Sequence, residues 1–216
     1  MNQEELDIML NTIHTPEDAG EYEDDLRRIL SRIPPRWGRW ISCASGWYPL
    51  IIELDKKLAE IFPDYELHQV KEKFGTLRYY IGFPQLDPQC CIYLENQRPV
   101  EGAVDPKYLY GKQRTLEEQY ELDKWYFQDF LPHFDTPEHE EQRKALEPEQ
   151  KRRSELSDRM HKIINEYEDL SARICELCGA DAEMRVQHYW YRTLCDLCAE
   201  KDGYLPIHEE DEDETL

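Results

Sequence analysis

Long apolar runs are missing from this chain of 216 residues. No stretch approaches the roughly 18–20 residues that span a bilayer, which excludes a transmembrane helix. A leader is not expected either. The chain opens Met-Asn-Gln-Glu-Glu, with neither a basic segment nor an apolar one behind it, so the expectation is a cytoplasmic protein. The recognisable catalytic signatures are absent: there is no GxSxG, P-loop, HExxH, GxGxxG or HxE with PCxxC. No catalytic residue is assigned, and an enzyme is not the expected reading. Positive charge is missing from both ends. Residues 1–25 hold nine acids and no Lys or Arg, and residues 209–214 are six consecutive acids.

The charge that is present is strongly negative, −21 overall from 47 acids and 26 bases. With the fifteen terminal acids set aside, 32 acids face all 26 bases, so the body is only mildly acidic. Such a field repels phosphate backbones and disfavours nucleic-acid binding outside a local basic patch. It favours a basic partner and steered association, or serves solubility alone. A hydrophobic fraction of 40% and an aromatic fraction of 12% still provide for a core, despite a mean hydropathy of −0.84.

Four of the seven cysteines form Cys175-x2-Cys178, sixteen intervening residues, then Cys195-x2-Cys198. This spacing predicts a structural zinc ion held by four thiolates. Two residues between ligands let one tight knuckle aim both sulfurs at one ion, and Gly179 suits the left-handed backbone of such a knuckle. A closed set of four protein ligands leaves no open position for catalysis. Cys43 and the vicinal pair Cys90-Cys91 read as small apolar residues or loop thiols.

Periodicity predicts the elements. Residues 1–14 read as frayed or loosely docked. Thr15-Pro16-Glu17-Asp18 reads as a helix start whose apolar stripe is Leu26, Ile29, Leu30 and Ile33. Residues 36–48 read as an aromatic loop with Trp37, Trp40 and Trp47, followed by a helix from about Pro49 to Phe62. Residues 67–82 read as a β-hairpin turning at Gly75. Residues 84–114 read as loop with short strands at Cys91–Leu94 and near Tyr108. A capping box at Thr115 and Glu118 then opens an aromatic helix to about Leu131. Residues 133–149 read as a linker or short exposed helix with solvated His133 and His139. A helix from about Pro148 to Ile174 leads into the first CxxC, residues 183–193 form a short hairpin, and the second CxxC opens a helix.

Four segments carry a resemblance: 46–50 (GWYPL), 69–80 (QVKEKFGTLRYY), 171–179 (SARICELCG) and 192–198 (RTLCDLC). Together they resemble a family of small bacteriophage and prophage proteins, in which a QVKEKFGxLRFY hairpin precedes a helix and a cysteine-bearing knuckle. The resemblance covers residues 40–83 and 150–200. It implies a phage origin and a zinc site, and carries over no catalytic residue. Two departures stand out. Residues 84–148 form an insertion, and the last ligand, often His in the family, is Cys198.

The expected architecture is α+β: helices on a small antiparallel hairpin or sheet, closed by a zinc-ribbon or treble-clef-like module of four cysteines. The parts are 1–83 (helical and hairpin core), 84–148 (acidic aromatic helical insertion), 149–205 (long helix and zinc module) and 206–216 (acidic disordered tail). The leading functional expectation is an acidic phage-type accessory protein that binds and modulates a host protein with a basic surface, such as a nucleic-acid-handling or defence factor, with inhibition the favoured mode and contacts through Tyr120, Trp125, Tyr126 and Phe130 with Trp37 and Trp40. The alternative is a zinc-dependent nucleic-acid-binding module using Lys71, Lys73, Arg78, Arg185 and Arg192, with Trp37, Trp40 and Tyr80 as stacking platforms. An enzyme built on Glu53, Asp55 and Glu72, and a purely structural virion part, are the remaining readings.

Overall fold

The computed structural model describes residues 2–35, 37–84 and 137–207. The expected strands near 91 and 108, the Cys90-Cys91 pair, the aromatic helix with Tyr120, Trp125, Tyr126 and Phe130, His133, and the acidic tail from 208 onward lie outside the described residues. The chain divides into two compact units, Met1–Pro84 with Glu155–Leu216, and Gln85–Ser154. Among the described residues no helix is long and apolar enough to cross a membrane.

The N-terminus, expected to be frayed or loosely docked, forms a capped helix. Asn2 accepts from the Glu5 amide and Glu5 accepts from the Asn2 amide, both at 2.8 Å. This reciprocal cap starts helix α1, Gln3–Asn11. Strand β1, Ile13–His14, follows. The expected helix start at Thr15 is not found. Gly20 adopts φ +54, which breaks any helix running on from Pro16, and α2 spans Glu23–Leu30 after a 3₁₀ turn. Its first turn carries Glu23, Asp24 and Asp25, favourable at a helix N-terminus.

The aromatic loop contains a strand: β2, Arg39–Ser42, pairs parallel with β1 on one side and β3 on the other. Helix α3, Tyr48–Ile61, buries Leu50, Ile51, Leu54 and Leu58. Strands β3, Glu66–Lys73, and β4, Thr76–Gly82, form the expected hairpin. Its two-residue loop is Phe74-Gly75, at φ +54 and +77, the pair of left-handed residues a tight hairpin needs. The sheet is therefore mixed, in the order β1-β2-β3-β4, and not purely antiparallel as expected.

Helix α4, Pro137–Ser171, continues through Pro148, so the stretch expected as a linker or short exposed helix is helical from 137 and joins the following helix. Met160, Ile164 and Tyr167 join the core of α2, α3 and the inner sheet face. The helix also caps the open edge of β4: Glu168 accepts from the Tyr79 amide at 3.0 Å, and the Ser171 hydroxyl accepts from the Leu77 amide at 2.9 Å. Both amides would otherwise be unpaired edge donors.

One carboxylate is buried in that core. Asp55, 0% exposed, accepts from Arg32 Nε (2.7 Å) and the Tyr65 hydroxyl (2.6 Å) on Oδ1, and from Arg28 (2.7 Å) on Oδ2. The Tyr65 proton is thus committed, so Tyr79 donates to Tyr65, at 2.7 Å.

After α4 come β5, Glu183–Gln187, β6, Trp190–Leu194, helix α5, Asp196–Asp202, and a strand sequence does not suggest, β7, Leu205–Pro206. The second sheet runs β6-β5-β7, all antiparallel. The molecule is a mixed helix-and-sheet protein of α+β type with a C-terminal cluster of four cysteines.

Candidate metal centre

Each half of the cysteine cluster is shaped by backbone hydrogen bonds. In the first, the Cys175 amide donates to the Ala180 carbonyl (2.7 Å) and the Gly179 amide to the Cys175 carbonyl (2.8 Å). Gly179 takes φ +77, as the knuckle requires. In the second, Cys195 stands at the N-cap of α5, and Cys198 lies on its first turn. The four sulfurs all lie within 4.8 Å of one another, with Cys178 and Cys195 at 3.6 Å, and all four cysteines are free thiols. A metal bound tetrahedrally at about 2.3 Å sets its sulfurs about 3.8 Å apart. The cluster therefore matches the donor set and size of a tetrathiolate metal site.

Burial and neighbouring groups set the thiols apart in acidity. Burial opposes ionisation of Cys175, but the amides of Cys195, Cys178 and Leu177 outweigh it and hold this thiol down to about 7. The Ala180 amide favours the Cys178 thiolate, yet burial and the neighbouring thiols Cys175 and Cys195 push it up overall. Burial, then shared protons with the other three thiols, push Cys198 up to about 12. Without a cation the four sulfurs hold protons between them; a divalent ion would let all four ionise.

The first knuckle is clamped by distant segments of the same unit. The Gly46 amide donates to the Glu176 carbonyl (2.8 Å), and Trp47 Nε1 donates to the Ile174 carbonyl (2.7 Å) from a fully buried ring. The buried Glu176 carboxylate accepts from the Ala44 amide (3.3 Å) and from Arg192 Nε (2.9 Å). The hairpin turn is fastened to β6: the Thr193 hydroxyl donates to the Gly75 carbonyl at 2.6 Å. A Cβ at Gly46 would run into the carbonyl oxygens of Cys175 and Glu176. Gly46, Glu176 and Thr193 are functional neighbours of the centre that sequence reasoning missed. The signal for Gly46 was its place in the GWYPL segment, but nothing in that segment says what it touches.

The basic residues named from sequence are mostly spoken for. Arg185, 7% exposed, pairs with Glu183 (2.7 Å) and Asp196. Arg192 pairs with Glu176 (2.9 Å) and Asp202 (3.8 Å). Arg78 reaches Glu168 at 3.3 Å rather than the Glu72 carboxylate, because Lys71, not Glu72, stands opposite it in register. Lys71 lies over the Tyr80 ring and Lys73 over the Phe74 ring. Trp37, 57% exposed, stacks against His68 at 4.5 Å, and Trp40 meets His14 at 6.3 Å.

The three acids considered as a catalytic cluster are separated. Glu53 is exposed beside Lys57, Asp55 is sealed in its arginine network, and Glu72 accepts from the Gly75 amide. Cys43 is an inert thiol, since burial, reinforced by Glu176, Asp18 and Glu72, raises it far above the usual thiol range. In comparisons with family models, curated proteins and solved structures, nothing matches this chain.

Proposed function

We propose that this chain is an acidic, zinc-stabilised accessory protein of phage type that binds and inhibits a basic host protein in the host cytoplasm. The metal is a structural zinc ion. Four thiolates and no water position are the donor set of a closed zinc site, and the two knuckles with their hairpin form a zinc-ribbon or treble-clef-like module. Such an ion contributes on the order of 10 kcal/mol to folding its segment, which lets a module with few buried apolar residues stand.

The observation that carries the reading is the β5–β6 hairpin. Its arginines, Arg185 and Arg192, are neutralised by carboxylates, while its tip leaves Tyr189 92% and Trp190 74% exposed. Exposed aromatic rings of this kind suit a protein partner. Cationic side chains of that partner rest on the rings, and the acid-rich ends accelerate its approach. The −21 charge adds the same preference.

The test is capture from host lysate by the tagged full chain, with and without nuclease, at low and high salt, read by mass spectrometry. The reading expects one basic host protein that resists nuclease and is lost at high salt. Recovery of nucleic acid and its passengers alone contradicts it.

A further inference from the structure

The mixed sheet keeps one face on the core and turns the other to solvent. Leu67, Val70, Leu77 and Tyr79 are buried, and Ile13 and Ile41 pack against the same cluster. Alternation therefore sends His14, Trp40, Ser42, Glu66, Gln69, Lys71, Lys73, Arg78 and Tyr80 outward. The register lines them up. His14 pairs with Trp40, Ile41 with Val70, and Gln69 with Tyr80, so His14, Trp40, Gln69 and Tyr80 form one row across all four strands. Ser42, Lys71 and Arg78 form the next. The contacts of His14 with Trp40 and of Lys71 with Tyr80, the latter at 5.4 Å, place these side chains on one face.

In a chain with 47 acids, one of these outward strand residues is acidic, Glu66 at the far end of β3, 3.7 Å from His68. Glu168 also reaches the face, engaged by Arg78. Among the described residues Lys71 and Lys73 are in no ion pair. Trp40 is 37% and Tyr80 42% exposed. Two strand spacings, about 9–10 Å, separate their strands.

We propose that this face binds a segment of single-stranded nucleic acid. Two splayed bases stack on Trp40 and Tyr80, the Gln69 amide between them meets base edges, and Lys71 and Lys73 hold phosphates. Charge complementarity selects the occupant: this is the positive face of a negative protein. The rings select a base-bearing polyanion over an acidic peptide. Duplex is rejected, because its bases present no free faces and the overall charge repels its denser phosphates. The inference is independent of the reading above, which concerns the zinc hairpin and a protein partner.

The experiment uses the full zinc-loaded chain and labelled oligothymidylate and oligouridylate of about a dozen nucleotides, titrated by fluorescence anisotropy between about 50 and 200 mM salt. A duplex of equal length and a polyglutamate of matched charge are the comparison probes. Single strands are expected to bind, with log K falling against log salt at a slope of about −1.4 for two phosphate contacts. W40A/Y80A is expected to weaken binding by at least about 10-fold, since a stacked base is worth roughly 5- to 150-fold. W40F/Y80F is expected to retain most of it. K71Q/K73Q, at exposed positions that leave the fold intact, is expected to flatten the slope towards zero. Absence of single-strand binding at about 50 mM salt overturns the proposal. So does equal binding of duplex or polyglutamate, or an unchanged affinity in a natively melting W40A/Y80A together with an unchanged slope in K71Q/K73Q.

Discussion

Gly46 and Glu176 are 130 residues apart in sequence and joined backbone to backbone, amide to carbonyl, at 2.8 Å. The approach is so close that the space a Cβ at 46 needs is already held by the carbonyl oxygens of Cys175 and Glu176. The loop before α3 and the first cysteine knuckle thus support each other, and neither moves without the other.

Gly46→Ala is therefore expected to force the knuckle away from its bed, destabilising the protein by about 1–3 kcal/mol or more and weakening metal retention against a chelator. Denaturant unfolding and chelator competition measure the two effects. Wild-type values in both would mean the contact is looser than described.

That contact also marks how far sequence reasoning reaches here. Elements made by local periodicity were legible: the apolar face of α3, the alternation of β3 and β4, the three-and-four repeat of α4 around Met160 and Ile164, and the Cys175–Cys198 spacing. What was missed is short or long-range. The strands β1 and β2 have two and four residues and exist through parallel pairing with distant partners. Thr15-Pro16 carries every local sign of a helix start, and Gly20 in its left-handed conformation overrides them. The clamp on the metal centre is built largely from backbone groups of Gly46, Ile174 and Gly75, which no side-chain pattern announces.

Asp55→Asn is expected to cost about 3–5 kcal/mol. The carboxylate is fully buried and satisfies Arg28, Arg32 and Tyr65 together, and the Arg32 side chain is only 17% exposed. An amide keeps the shape but leaves that guanidinium without its counter-charge. A loss below about 1 kcal/mol in urea unfolding would show that Asp55 behaves as a surface pair.

Phe74 carries a left-handed backbone, φ +54, on an exposed side chain. Phe74→Asn creates the Asn-Gly pair that such a two-residue turn favours. A gain of about 0.5–1 kcal/mol is expected from relieved strain, less what the Lys73 contact with the ring supplies. Thermal unfolding measures it. A clear loss would mean the Phe74 ring holds a contact that outweighs the strain.

Glu149 accepts from both Arg152 and Arg153, which hold its carboxyl down to about 2. A carboxylate depressed on folding stabilises above its ordinary value of about 4.5 and loses that contribution as pH falls through about 2. Carboxyl NMR should show Glu149 titrating well below 4.5, and Arg152→Gln together with Arg153→Gln should return it to the ordinary range. An ordinary titration in the unsubstituted protein would contradict the pairing.

The central claim is that Cys175, Cys178, Cys195 and Cys198 hold one structural zinc ion on which the C-terminal module depends. Native mass spectrometry of the purified chain, beside its Cys178→Ser variant, tests it most directly. The account predicts one zinc per chain in the unsubstituted protein. The variant should hold no metal and lose the cooperative unfolding of the C-terminal third. A metal-free protein that melts as native, or a Cys178→Ser variant that keeps one zinc and native melting, would contradict it.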